Sequence, residues 1–200
     1  MGKSKKTAVA QTTSPFSLKD GEDSTVRLTR ITALWDNEMQ GVIALLFTGE
    51  SQNYGTRMLR ISFGYKPEGG AWEKNSYATR QEFWATYRDR DNTDFGMKAL
   101  RSSFKYFNQD SRKLLCKMIS SAFRYAGKEN RNGKRNGSSS NKFMGKMIVR
   151  FVSKKFEGKW YEHINAPREE SQYHRGVGEK VSEGLKKVNV FAMAWRWFMS

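Results

Sequence analysis

The residues closest to a catalytic pattern are Glu157-Gly158-Lys159, which follow a predicted strand. A metal-dependent nuclease can use such a Glu-x-Lys pair, in which the carboxylate holds the metal and the lysine supports the attacking water. That site also needs an acidic residue from the tip of a neighbouring strand, and the sequence offers no evident one. Because a hairpin turn explains the same three residues, a metal-dependent nuclease is only the third hypothesis for this chain.

Other catalytic and ligand-binding motifs are incomplete. A phosphate-binding P-loop fails at Gly133-Lys134, because Lys128 stands where its first glycine is needed and Arg135 where its hydroxyl is needed. The two histidines, His163 and His174, cannot form a structural zinc site with a single cysteine. We therefore predict no enzymatic activity, no catalytic residue, no metal site and no cofactor.

Positive charge is the chemical feature that stands out. The 200 residues include 36 Lys and Arg against 20 Asp and Glu, a formal net charge of +16. Such an excess repels itself unless an anionic partner neutralises it, and the candidates are a phosphate backbone, an anionic membrane surface and an acidic protein. Aromatic residues make up 14% of the chain. Cations bind phosphates and rings stack on bases, so nucleic acid is the favoured partner.

The predicted phosphate contacts follow helical spacing in two segments. Lys98, Arg101 and Lys105 recur at i, i+3 and i+7, offset from an apolar stripe. The next segment has no acidic residue between Ser111 and Gly127. An ordinary solvated face is the alternative, but a basic ridge of this kind can follow phosphates. The contacts expected there and in the loop that follows are Lys113, Lys117, Arg124, Lys128, Arg131, Lys134 and Arg135.

A predicted hairpin later in the chain mixes basic residues with rings. Lys146 and Arg150 share one face of its first strand, and Lys159, Tyr161 and His163 share one face of its second strand. If that face is exposed, Tyr161 and His163 are stacking platforms for bases, flanked by cations. The alternative places the two rings in the core.

Strands and helices must both position these residues. The alternating segment 26–31, the apolar run 41–47 and the alternating segment 58–65 are separated by turn-rich stretches, which is typical of a three-stranded antiparallel meander. A hairpin over 143–164 follows later, and a helix over 177–195 ends the chain. The predicted class is α+β, with a mainly antiparallel sheet packed against helices.

Capping signals predict three helices between the meander and the hairpin. Thr79 opens a Thr-Arg-Gln-Glu capping box, Asp94 is a candidate cap for a second helix, and Asp110 or Ser111 is the candidate for a third, which Gly127 ends. The apolar residues of each segment recur at helical spacing. These helices carry the predicted basic ridge.

The chain is predicted to have a flexible basic arm over residues 1–24 and a single nucleic-acid-binding domain over residues 25–200. A disordered basic loop is expected at 127–142, because that stretch contains no apolar residue. Neither a signal peptide nor a run of 18 apolar residues is evident, and the single Cys116 excludes an intramolecular disulfide. We expect an intracellular protein, cytoplasmic or nucleoid-associated and not secreted.

The leading hypothesis is a non-enzymatic protein that binds single-stranded RNA or single-stranded DNA with weak sequence specificity. The first alternative is a viral nucleocapsid or coat-type protein, in which the basic arm packages the genome and the apolar C-terminus forms a homo-oligomer. The composition also suits a viral or phage product. A further alternative is attachment to a membrane surface through Trp195, Arg196, Trp197 and Phe198.

Overall fold

A curved antiparallel sheet forms the centre of the molecule in the computed structural model. The structure describes residues 15–124, 126–128, 138–140, 147–156 and 159–168, with only the backbone described at 138–140, 156, 159 and 160. In chain order the elements are β1 (Asp23–Asp36), β2 (Gly41–Ser51), β3 (Gly55–Ser62), β4 (Gly64–Tyr65), β5 (Glu73–Lys74), α1 (Arg80–Arg88), α2 (Phe95–Phe104), α3 (Gln109–Phe123), β6 (Ser138–Ser140), β7 (Met147–Phe156) and β8 (Lys159–Asn165).

The strand order of the main sheet is β3-β2-β1-β7-β8, and its neighbouring strands are antiparallel. The short β6 also pairs with β1, and β4 and β5 form a separate two-stranded ribbon. The predicted α+β class is therefore confirmed, as are the N-terminal meander and the C-terminal hairpin.

β1 is shared between the two halves of the sheet. Its residues Asp23–Leu28 pair with β7, whereas its residues from Arg27 onward pair with β2. The register with β2 shifts between Leu28 and Arg30. The buried side chains accordingly change from the even-numbered Val26 and Leu28 to odd-numbered residues further along the strand. This β-bulge lets one long strand bend while it keeps its apolar side chains in the core.

The two edge strands of the sheet, β3 and β8, approach each other and bring the sheet close to a closed barrel. The backbone N–H of Arg60 on β3 donates to the Glu162 carboxylate on β8, with 3.0 Å between the nitrogen and Oε2. Burial and the nearby charge of Glu22 raise the pKa of Glu162, although its bond from Arg60 acts in the opposite direction. The Glu162 side chain thus accepts from a backbone N–H of the edge strand β3, and without it this N–H would face solvent.

Residues 15–24 are part of this barrel, although the sequence analysis places them in a flexible arm. The carbonyl of Phe16 accepts a hydrogen bond from the N–H of Met58 on β3 at 2.8 Å. The carboxylate of Glu22 bonds with the Arg57 guanidinium at 2.9 Å, and its backbone carbonyl accepts from the N–H of Ser153 at 2.8 Å. The rest of the predicted arm, residues 1–14, lies outside the described residues.

The helices α1 and α2 begin at the predicted caps, and α1 is joined to the barrel by Phe83. The Thr79 hydroxyl accepts a hydrogen bond from the N–H of Glu82, and Asp94 caps α2. Phe83 is fully buried, and the centroid of its ring lies 4.6–5.7 Å from those of four other aromatic rings. Its neighbours are Phe63, Tyr77, Trp84 and Phe123.

The predicted cap of α3 is wrong. Asn108, rather than Asp110 or Ser111, caps the helix, and its side-chain oxygen accepts from the N–H of Ser111 at 2.8 Å. Asp110 instead lies in the first turn, where a negative charge interacts favourably with the helix dipole. The helix ends at Phe123, and Gly127 follows four residues later with a φ of +74°.

Part of the predicted disordered loop is a strand. Ser138–Ser140 form β6 and pair with residues 31–33 of β1. Residues 129–137 and 141–142 of that loop lie outside the described residues, as does the predicted helix over 177–195. Among the helices that the structure describes, none is long and apolar enough to cross a membrane.

Candidate nucleic-acid interface

The predicted helical ridge is divided between two helices that pack on different strands. α2 contacts β3, β4 and β8, whereas α3 contacts β1 and β6. The helices therefore place their basic residues over different parts of the barrel. Lys113 is half-buried, and the exposed residues are Lys98, Lys105, Lys117, Arg124 and Lys128.

Two arginines predicted to contact phosphate hold protein groups instead. The Arg101 guanidinium donates to the backbone carbonyls of Asp89 and Asn92, the latter at 3.3 Å. Arg150 donates from two nitrogens to the carboxylate of Asp23, with 2.9 Å between Nε and Oδ1. The Arg150 hydrogen bond lowers the pKa of Asp23 below its usual value. The geometry gives both arginines a structural role, so we leave them out of the candidate interface.

The two candidate stacking rings, Tyr161 and His163, alternate along β8 with the buried Ile164 and lie on the side away from the core. Tyr161 is 42% exposed and lies opposite Lys154 on β7. His163 is half-buried opposite Val152, and burial lowers its pKa, so its ring is neutral at pH 7. Of the two arrangements that the sequence leaves open, Tyr161 has the exposed one. Lys146, Arg131, Lys134 and Arg135 lie outside the described residues, as does the side chain of Lys159.

A surface with arginines at both ends crosses β1, β2 and β3. Two rows of residues lie side by side in register, Arg30–Thr48–Met58 and Thr32–Leu46–Arg60. The arginines are exposed, and the four residues between them are half-buried. These six residues are called the outer face below. Strand alternation already places Met58 and Arg60 opposite the core side of β3, but it did not mark them as functional.

Two exposed rings, which the sequence analysis did not single out, lie beyond the end of β3. The indole of Trp72 and the ring of Phe95 are 49% and 45% exposed. Their centroids are 5.3 Å apart and their planes are inclined by 32°. The ammonium nitrogen of Lys98 lies 5.7 Å from the centroid of the Phe95 ring. These two rings are called the Trp72–Phe95 pair below.

Two glycines allow the Trp72–Phe95 pair to lie close to the end of β3. A Cβ atom on Gly64 would lie 2.6 Å from the Trp72 indole, so the ring occupies the space that a side chain would fill. A Cβ atom on Gly96, the residue after Phe95, would lie 2.5 Å from the carbonyl oxygen of Ser62. Both distances are shorter than carbon atoms tolerate, so only glycine permits this packing.

The buried carboxylate of Asp94 holds this region together. Its Oδ2 accepts from the Gly64 N–H at 3.1 Å, from Asn75 Nδ2 at 3.0 Å and from the Tyr77 hydroxyl at 2.9 Å. Its Oδ1 accepts from the Met97 N–H at 3.0 Å. Burial and the Asp94 charge raise the pKa of Tyr77 well above its usual range, so this hydroxyl is a permanent donor. One side chain therefore links the ribbon, the residues that follow it and the start of α2.

Across the described ranges, no group of three or more His, Cys, Asp or Glu side chains is arranged to hold a metal ion. No family model matches the chain, and neither a curated protein nor a solved structure matches it.

Proposed function

We propose that the protein binds single-stranded RNA or single-stranded DNA, without catalysis and with weak sequence specificity. The support begins with the connectivity of the barrel. Its order β3-β2-β1-β7-β8, the sharing of β1, and the helices between β3 and β7 are the connectivity of the OB-fold, a five-stranded and partly open Greek-key barrel. The approach of β3 to β8 matches the position at which such a barrel closes.

The outer face is the surface that carries the proposal. In OB-folds the face of the second and third strands binds oligonucleotides or oligosaccharides. Here that face has exposed Arg30 and Arg60 at its ends and half-buried Leu46 and Met58 between them. Guanidinium groups bind phosphates and stack on bases. The net charge of +16 favours an anionic oligonucleotide over a neutral saccharide.

Exposed rings favour single strands over duplexes. Tyr161, Trp72 and Phe95 are each more than two-fifths exposed. Unpaired bases can stack on such rings, whereas the bases of a duplex are already stacked on one another. The expected mode combines phosphate contacts by cations with stacking, and it needs no sequence readout.

The test is the affinity for a fluorescein-labelled oligonucleotide of about 12 nucleotides, a length within the range that OB-folds cover. Changing Arg30 and Arg60 together to Gln should weaken single-strand binding about 10- to 100-fold and make the slope of log K against log salt shallower by about 1.4. The matched control changes Arg80 and Arg88, two exposed arginines on α1, to Gln. Fluorescence anisotropy over a salt series measures both quantities.

An unaltered protein that does not bind single strands would overturn the proposal. An equal loss in the α1 control would show that binding depends on total charge and not on the outer face. Assembly of the protein with RNA into large particles would favour the coat-protein alternative, and magnesium-dependent cleavage of the oligonucleotide would favour the nuclease.

The Tyr161 ring gives a second test of stacking. Tyr161→Ala should weaken single-strand binding by about 1–3 kcal/mol, the usual contribution of one base-stacking ring, and should affect duplex binding less. Tyr161→Phe keeps the ring and should bind like the parent. Because the ring is exposed, the melting temperature should stay nearly unchanged. A large drop in melting temperature, or a Phe variant as weak as the Ala variant, would contradict the stacking role.

A further inference from the structure

We propose that the Trp72–Phe95 pair is a stacking site for one unpaired base, with the exposed indole of Trp72 as the stacking surface and Lys98 as the contact for the phosphate. This inference rests on the proposed function and assigns to the ribbon and α2 a site separate from the outer face. The ligand is a nucleotide within a single strand of RNA or DNA.

The exposure of the two rings is the first argument. The core of the described chain buries rings such as Phe63, Phe83 and Phe104 almost completely. Trp72 and Phe95 instead remain about half-exposed and in contact with each other. Adjacent exposed apolar rings are a common mark of a binding surface. A planar base can add to this pair and cover the apolar area that now faces water.

The second argument is that the pair is held in place before any ligand binds. The indole of Trp72 rests on Gly64, and the N–H of Gly64 donates to Asp94. Phe95 immediately follows Asp94, which caps α2. A ring that is already fixed loses little conformational freedom on binding, so more of the stacking energy contributes to affinity.

The charges around the pair suit a phosphate. The Lys98 ammonium lies 5.7 Å from the Phe95 ring centroid and is exposed. Lys74, also exposed, pairs with Gly64 in the ribbon and by strand alternation lies on the same side as Trp72. The acidic neighbour Glu73 alternates to the other side of the ribbon. A base stacked on the ring therefore has its phosphate close to cations.

The position of the pair suits a strand that also crosses the outer face. Met58, Arg60 and Ser62 alternate on the outer side of β3, and Gly64, which lies under Trp72, is two residues further along. Four residues of extended chain span roughly 13 Å, so Arg60 and Trp72 are separated by about two nucleotides of an extended strand. One short oligonucleotide can contact both sites.

The experiment compares Trp72→Ala with Tyr54→Ala in the full chain, using labelled oligo(dT) and oligo(U) of about 12 nucleotides. Tyr54 is a matched control, because it is also 49% exposed and lies beside a cation, with Arg57 at 5.0 Å from its ring, but it is at the β2–β3 turn. Trp72→Ala should bind about 5- to 150-fold more weakly (~1–3 kcal/mol). Trp72→Phe should retain most of the affinity.

Salt dependence separates the ring from the cation. Trp72→Ala removes no charge, so its slope of log K against log salt should equal that of the parent. Lys98→Gln should make the slope shallower by about 0.7, the value for one phosphate contact on a single strand. Photocross-linking of an oligonucleotide that contains 5-iodouracil to the unaltered protein should join the base to Trp72 or Phe95, as located by mass spectrometry.

The outcomes distinguish the inference from the proposed function. If the parent binds no single strand, the proposed function fails and the inference fails with it. If the parent binds but Trp72→Ala is no weaker than Tyr54→Ala, the inference fails and the outer face remains the candidate. If Trp72→Ala does not fold, the cross-link in the unaltered protein decides, and adducts found only away from Trp72 and Phe95 overturn the site.

Discussion

Replacing Asp94 with alanine should lower the free energy of unfolding by about 3–5 kcal/mol, because it removes a helix cap and leaves buried donors without a partner. The carboxylate accepts hydrogen bonds from Gly64, Asn75, Tyr77 and Met97. Each buried donor left without a partner costs about 1–3 kcal/mol, and loss of an N-cap costs about 0.5–2 kcal/mol. Relaxation of the ribbon should keep the total below the simple sum.

Urea unfolding followed by circular dichroism measures this change. Asp110→Ala is the control, because Asp110 is an exposed carboxylate in the first turn of α3, and its loss should cost at most about 1 kcal/mol. Asp94→Asn keeps one acceptor oxygen and should lie between parent and alanine. If Asp94→Ala were as stable as the control, the network would not hold the ribbon to α2. The position of Trp72 would then need another explanation.

The affinity of the parent protein for a single strand should fall about 10²- to 10³-fold between roughly 50 and 200 mM salt. This range follows if roughly 5–8 phosphates are contacted, because each contact on a single strand releases about 0.7 of a counterion. The exposed cations Arg30, Arg60 and Lys98 supply three of these contacts in our proposal, and other basic side chains supply the rest.

Anisotropy titrations at four or more salt concentrations measure the slope. An affinity that does not change with salt concentration would contradict an electrostatic interface, even if the binding is tight. A slope much steeper than that of about eight phosphates would mean that basic segments beyond the outer face carry most of the binding.

Local patterns explain how much of the fold could be predicted. The alternation around Leu59 and Ile61 and the capping signals at Thr79 and Asp94 depend on residues close in sequence, and the structure has strands and helices there. The predicted cap of α3 was wrong because Asn108, Asp110 and Ser111 lie within four positions and all three are good capping residues. Barrel closure was not predicted, because the bond from Arg60 to Glu162 joins residues that no sequence period relates.

The candidate site was harder to predict than the fold, because charge alone does not tell a ligand contact from a structural one. Arg101 and Arg150 have the spacing of phosphate contacts, yet they bind backbone carbonyls and Asp23. Trp72 and Phe95 belong to residue types that usually fill cores, so composition gives no reason to place them at the surface. Their place near the end of β3 depends on the close packing at Gly64 and Gly96, which joins segments distant in sequence.

The sharing of β1 by both halves of the sheet affects how the chain can fold while it is being synthesised. β2, which pairs with β1, follows β1 immediately, but the residues of β7 that pair with the start of β1 come about 120 residues later. At ribosomal rates of about 5–20 residues per second, that edge of β1 stays without its partner for about 6–24 s. An unpaired strand edge is a template for wrong pairing. A nascent chain that stalls before β7 therefore exposes this edge to other nascent chains.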